Sequence, residues 1–210
     1  MGISPKKTLQ SFSVAMLALV ITACGGGSDD STPAATTPTT PTTPSFKLTS
    51  TAFVEGSKIP VEYACEDKGG MNRSVPLAWS EVPANTSKYT VIMDDEVSPC
   101  ETGDNACKHW NVYNIPNTIT SFTTGQKVTD IAGVVEGKVE TPPVGALANK
   151  YSGMCPPSKH TYKITAYALK DTMPSVDASA SLTRSQFKSQ YSSHILGEAT
   201  LSGTFDPIAP

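Results

Sequence analysis

Little in this sequence offers a ready-made reactive centre. Its 210 residues include only three histidines, no Cys-x-x-Cys pair among five cysteines, no glycine-rich phosphate loop and no internal repeat. These absences remove the usual signals for a zinc ribbon, a nucleotide-binding loop and a solenoid. No serine or cysteine stands in a recognisable nucleophile motif. Basic residues are scarcer than acidic ones, 16 against 19, for a net charge of −3. Bulk attraction to nucleic acid or to anionic lipid is therefore not expected. Beyond the leading residues there is no second long hydrophobic run, so no helical membrane span is expected there.

The leading residues read as an address. Lys6 and Lys7 precede a short apolar run, Val14 to Ile21, shorter than the ~20 residues a spanning helix needs. Ile21-Thr22-Ala23-Cys24 follows: a branched apolar residue, two small ones and a cysteine, which resembles the lipobox of bacterial lipoprotein signals. The expected organisation is a signal peptide over 1–23, a lipidated Cys24, and a tether over 24–45. Two or more acyl chains on Cys24 would hold firmly, where one would not. Gly25, rather than an acidic residue, follows the cysteine, which by resemblance to enterobacterial sorting favours the outer membrane over the inner. The Gly-rich start and the Thr-Pro repeats between Thr36 and Pro44 predict a disordered spacer. Without Lys6 and Lys7 the mature chain carries 14 basic and 19 acidic residues, net −5.

The remaining residues, 46–207, suffice for one domain with a sizeable core. Four cysteines remain after Cys24, and an even count in an exported chain reads first as disulfides, with three possible connectivities. Cys100 and Cys107 bracket a short polar loop and are expected to pair, leaving Cys65 for Cys155. A zinc site is the rival reading, disfavoured by the spacing.

Strands are predicted over 46–53, 89–94, 109–115, 162–169 and 198–205, with Ile164, Ala166 and Ala168 on one face. Irregular spacing and Pro-rich connections point to a mainly β, antiparallel sandwich. One helix is expected near the C-terminus. Thr183 and Gln186 fit a capping box, Phe187, Tyr191 and Ile195 form a core-facing stripe, and Gly197 is expected to end it.

Chemistry-bearing residues cluster at predicted strand ends. Asp94-Asp95-Glu96 closes the strand through Val91, Ile92 and Met93; His109-Trp110 opens the next; Tyr151-Ser152-Gly153-Met154-Cys155-Pro156-Pro157 precedes His160-Thr161-Tyr162. Each alone has a bland explanation, a turn-capping Asp or a structural His. Together they would make a small polar pocket if the strand ends converge.

These segments resemble the signatures of the phosphatidylethanolamine-binding protein family, in its bacterial Raf-kinase-inhibitor-like branch. The resemblance covers Gly56–Pro60, Tyr63–Cys65, Asn72–Trp79 and Val82-Pro83, then the Asp94, His109-Trp110 and Tyr151–Tyr162 segments, and His194–Ala199 at the end. It implies a β-sandwich with a few peripheral helices and a small anion pocket lined by Asp94, His109, Gly153, Pro157, His160 and Tyr162. Where the family has Asp-Pro-Asp-Ala-Pro, this chain has Asp94-Asp95-Glu96-Val97-Ser98, and Thr161 replaces an arginine.

The chemistry of these residues agrees. Imidazoles can donate to phosphate-like oxygens, amides around Gly153-Met154-Cys155 could form an anion nest, and Asp94 would hold a histidine cationic. The expected function is non-catalytic binding of a small anionic or phosphorylated group, such as a phospholipid head group, without cofactor. The alternatives are an enzyme using the Asp/His/Tyr set, hydrolytic or metal-dependent, and an interaction or inhibitor module with a protein partner in the periplasm or at the surface.

Overall fold

The structure, a computed structural model, describes residues 45–141 and 146–207. The leader, Cys24 and the predicted tether up to Pro44 lie outside these residues. Ten strands and one α-helix occur in the described part: β1 (Lys47–Thr49), β2 (Leu77–Ser80), β3 (Lys88–Asp95), β4 (Cys107–Pro116), β5 (Ser121–Phe122), β6 (Val135–Glu136), β7 (Lys138–Thr141), β8 (Ala146–Asn149), β9 (His160–Leu169), α1 (Arg184–Tyr191) and β10 (Ile195–Phe205).

All strand pairings between these elements are antiparallel. A five-stranded sheet runs β10-β9-β3-β4-β6, a three-stranded sheet runs β1-β2-β5, and β7 pairs with β8. β9 returns by a long connection to lie beside β3, the crossover expected of a Greek key. The mainly β, sandwich-type architecture read from the sequence is thus the observed one.

β3 sits at the centre because both of its faces are apolar. Tyr89, Val91 and Met93 join Ile164, Ala166 and Ala168 of β9 in a core shared with Leu77, Trp79 and Phe122 of the smaller sheet. Trp79 meets Phe122 edge-on, with ring centroids 5.3 Å apart, a favourable quadrupolar geometry. Ile92 points the other way, into a second cluster with Tyr113, Tyr167 and Phe187 of α1. A centre strand buried on both faces explains why hydrophobic alternation in it is weak.

Several predicted boundaries move, for local reasons. The strand predicted over 46–53 stops at Thr49, because the Ser50 hydroxyl donates to Pro76 O (2.6 Å) and accepts from Ala52 N (3.1 Å), turning the chain. The capping box of Thr183 and Gln186 is present in full. The helix, however, ends at Tyr191 and passes through a 3-10 turn, Ser192–His194. Gly197 does not end it. Beyond His194 the chain is captured by β9, Ile195 pairing with Leu169, and Gly197 lies at an irregularity in β10. A side chain there would stand 2.8 Å from Pro83 Cγ, so the glycine permits a close approach.

Both expected disulfides occur. Cys65–Cys155 joins positions 90 apart, and Cys100–Cys107 closes the connection between β3 and β4.

Candidate functional site

The C-terminal end of β3 and the starts of β4 and β9 lie side by side, since Asp95 pairs with both Cys107 and Tyr162. With the turn 151–157 they enclose a cavity of about 320 Å³. Its lining brings together His109, Gly153, Pro157, His160 and Tyr162, five of the six residues named from the sequence.

The sixth, Asp94, is elsewhere. It is buried on the opposite face of the sheet, where its carboxylate accepts from Arg184 N (2.9 Å) and Arg184 Nε (2.5 Å) at the start of α1. Burial raises its pKa, and the Arg184 charge opposes that rise. The acid in the cavity is Asp95. Side chains alternate along a strand, so the face that carries Val91 and Met93 next carries Asp95. Reading the family's acidic run from Asp95 puts Glu96 where its first proline stands and Val97 where its second acid stands. Two adjacent aspartates made the choice ambiguous in the sequence; alternation decides it.

Asp95 performs the orienting role that had been expected of its neighbour. Its Oδ2 lies 2.5 Å from His160 Nδ1, with both side chains only 2% exposed, and its Oδ1 accepts from Val97 N at 2.8 Å. A histidine that donates from Nδ1 presents Nε2 as its free nitrogen. That Nε2 is buried and, among the described residues, has no partner. Since His160 lines the cavity, a group entering it is one way to satisfy this nitrogen.

His109 is held similarly. Its Nδ1 lies 2.9 Å from the carbonyl oxygen of Ser152, which can only accept, so this nitrogen is the donor. The ring packs edge-on against Tyr162, with centroids 5.0 Å apart. Burial lowers the pKa of His109, against the opposing pull of the Ser152 carbonyl and of the Asp95 and Glu140 charges. Asp94 also pulls the His109 pKa upwards, as an acid should, but burial outweighs these attractions and biases His109 towards the neutral form. Burial, reinforced by the Asp95 charge, raises the Tyr162 hydroxyl well above its ordinary value, so it stays a donor.

The turn is fixed by contacts the sequence did not reveal. Gly153 N donates to Asn72 Oδ1 at 2.6 Å, and Cys65 N donates to Met154 O at 3.1 Å. A Cβ on Gly153 would come within 2.7 Å of Cys65 N and Asn72 Oδ1, so this position demands glycine. Because its amide is already used, Gly153 does not contribute to the expected nest. Glu140 of β7 also lines the cavity and was missed, as was the β7-β8 hairpin that carries it. Its carboxylate is neutralised by Lys108, through the ammonium and the backbone N–H, both at 2.7 Å.

Residues 49–206 match the family model described as phosphatidylethanolamine-binding protein. The chain belongs to this family. Among its relatives is a UPF0098 protein of Chlamydia pneumoniae, 34% identical over 163 residues that cover 76% of this chain and 98% of the relative. A putative lipoprotein, LppC, of Mycobacterium tuberculosis is 32% identical over 210 residues, covering 92% of this chain and 94% of its own. The solved structure of a putative phosphatidylethanolamine-binding protein homolog, CT736, from Chlamydia trachomatis superposes with a TM-score of 0.62 at 30% identity, covering 78% of this chain and 98% of that one. Escherichia coli YbcL has the same TM-score at 23% identity and speaks for the fold.

Proposed function

We propose that this family member is a non-catalytic binding protein for a small anionic or phosphorylated group, such as a phosphate or a phospholipid head group, held in the cell envelope by a lipidated Cys24. One observation carries the ligand reading: the buried, unpartnered Nε2 of His160, oriented by Asp95, on the wall of a cavity that also presents His109 and Tyr162. When protonated, that nitrogen is a charge-assisted donor to an oxyanion. The cysteines in the lining are disulfide-bonded and so carry no thiolate nucleophile, which supports binding over catalysis.

The anchor rests on Lys6, Lys7, the Val14–Ile21 run and Ile21-Thr22-Ala23-Cys24. The match to LppC supports it, since 92% coverage of this chain reaches beyond the domain into the leader or tether. Gly25 favours the outer membrane.

Calorimetry on the mature chain carrying Cys24→Ser, with inorganic phosphate and with phosphoethanolamine, tests the pocket. Affinity should drop at least about tenfold in a His109→Ala/His160→Ala variant, the loss of two hydrogen bonds to a charged group. Unchanged affinity would overturn the reading. Metabolic labelling with palmitate tests the anchor: label should enter the natural chain and be absent from Cys24→Ser.

A further inference from the structure

The cavity is roomier and less polar than a bare oxyanion requires. Its 320 Å³ lies at the lower end of the roughly 300–1,000 Å³ typical of pockets for organic ligands, whereas an inorganic phosphate has five heavy atoms. Hydrogen-bonding groups gather on one side, at His160, His109 and Tyr162. Much of the rest is apolar: Pro99, Pro156 and Pro157, with the half-cystines Cys100, Cys107 and Cys155.

The charge pattern narrows the ligand further. Among the described residues, two carboxylates line the cavity, Asp95 and Glu140, and neither lysine nor arginine does. Lys108 neutralises Glu140 from outside the lining, and Asp95 is committed to His160. Nor does the Gly153 amide help, being bonded to Asn72. A dianion would therefore find no guanidinium or ammonium on the wall to meet its second charge. A single negative charge, shared with a histidine proton, is what the polar side can satisfy.

Taking the anion pocket proposed above as given, we infer that its ligand is an organic monoanion with a compact apolar body: an aryl or short-chain alkyl group bearing one carboxylate or one singly ionised phosphoryl group. The charged end sits at His160 Nε2, and the body lies against the proline and cystine wall. Inorganic phosphate is then a partial occupant that fills the polar side and leaves the apolar side bare.

The test compares matched probes by calorimetry on the mature chain carrying Cys24→Ser, at pH 6.5: acetate against benzoate, and inorganic phosphate against phenylphosphonate. Burying a phenyl group should tighten binding about tenfold or more within each pair. Pro156→Ser, which makes the wall polar, should reduce that advantage at least about threefold. Equal affinity within both pairs would overturn the inference and leave the anion pocket standing. Failure of all four probes to bind would overturn the pocket reading itself, and this inference with it.

Discussion

Asp94 and Asp95 are neighbours of one kind, 1% and 2% exposed, and they serve opposite faces of the sheet. Asp94 is bonded by Arg184, whose guanidinium also reaches Glu96 at 3.2 Å, while Lys163 reaches Glu96 at 2.7 Å. That network ties the N-terminus of α1 to the sheet, and each of these charges has a partner. Asp95 aligns a histidine whose other nitrogen has none among the described residues. Residue type and burial are thus nearly the same at the two positions, and what separates them is whether the partner still has an unmet valence for hydrogen bonding.

The contrast can be broken most forcefully at Asp94. Asp94→Ala leaves Arg184 short of its main partner and should cost on the order of 3 kcal/mol, read as a lower denaturation midpoint, while phosphate binding persists. If Asp94→Ala abolished binding in a protein of undiminished stability, the assignment of the two faces would be wrong. Gly153→Ala acts on the pocket side through backbone. Its added carbon meets the segment 64–65, and a loss of roughly 1–3 kcal/mol is expected, together with weaker binding.

Asp95→Asn should cost less stability, about 1 kcal/mol for a weakened hydrogen bond, yet reduce phosphate affinity by about tenfold through loss of the His160 orientation. Equal affinity in calorimetry would show that His160 needs no orienting acid.

The gentlest probe is pH. His109 has a pKa below its ordinary 6.5 because burial disfavours its charged form. As pH falls below 6.5 the unfolded chain takes up this proton before the folded one, so His109 lowers stability on the acid side. Urea midpoints of wild type should decline from pH 7 to pH 5, and His109→Gln should flatten that slope. Bound anion should reverse part of it by favouring the imidazolium.

Much of this was legible in the residues. The capping box of Thr183 and Gln186, the disulfide partners and the Ile164, Ala166, Ala168 face are local or count-based signals, and they translate directly into structure. What escaped depends on facing. Choosing Asp95 over Asp94 required knowing that Val91 and Met93 look inward, which a strand buried on both sides conceals. Gly197 looked like a helix terminator because nothing nearby in the sequence reveals that β9 captures Ile195 or that Pro83 presses on the glycine. Glu140 went unnoticed because the strands of the β7-β8 hairpin are short and, among the described residues, bury only Val139, so no alternating apolar face marks them. Asn72 was noticed as part of a motif, and its grip on Gly153 came only with the tertiary contact.

The two disulfides have a consequence for when the cavity exists. One ties the strand-end loop between Asp95 and His109, the other ties the turn 151–157 to residues 64–65. A chain whose cysteines are still thiols has the same side chains in the same order, but no covalent bond spans either side of the opening. The two bonds form by losing four hydrogen atoms to an oxidant. An oxidising compartment favours both bonds, and a reducing one would leave the four cysteines as thiols and both links open.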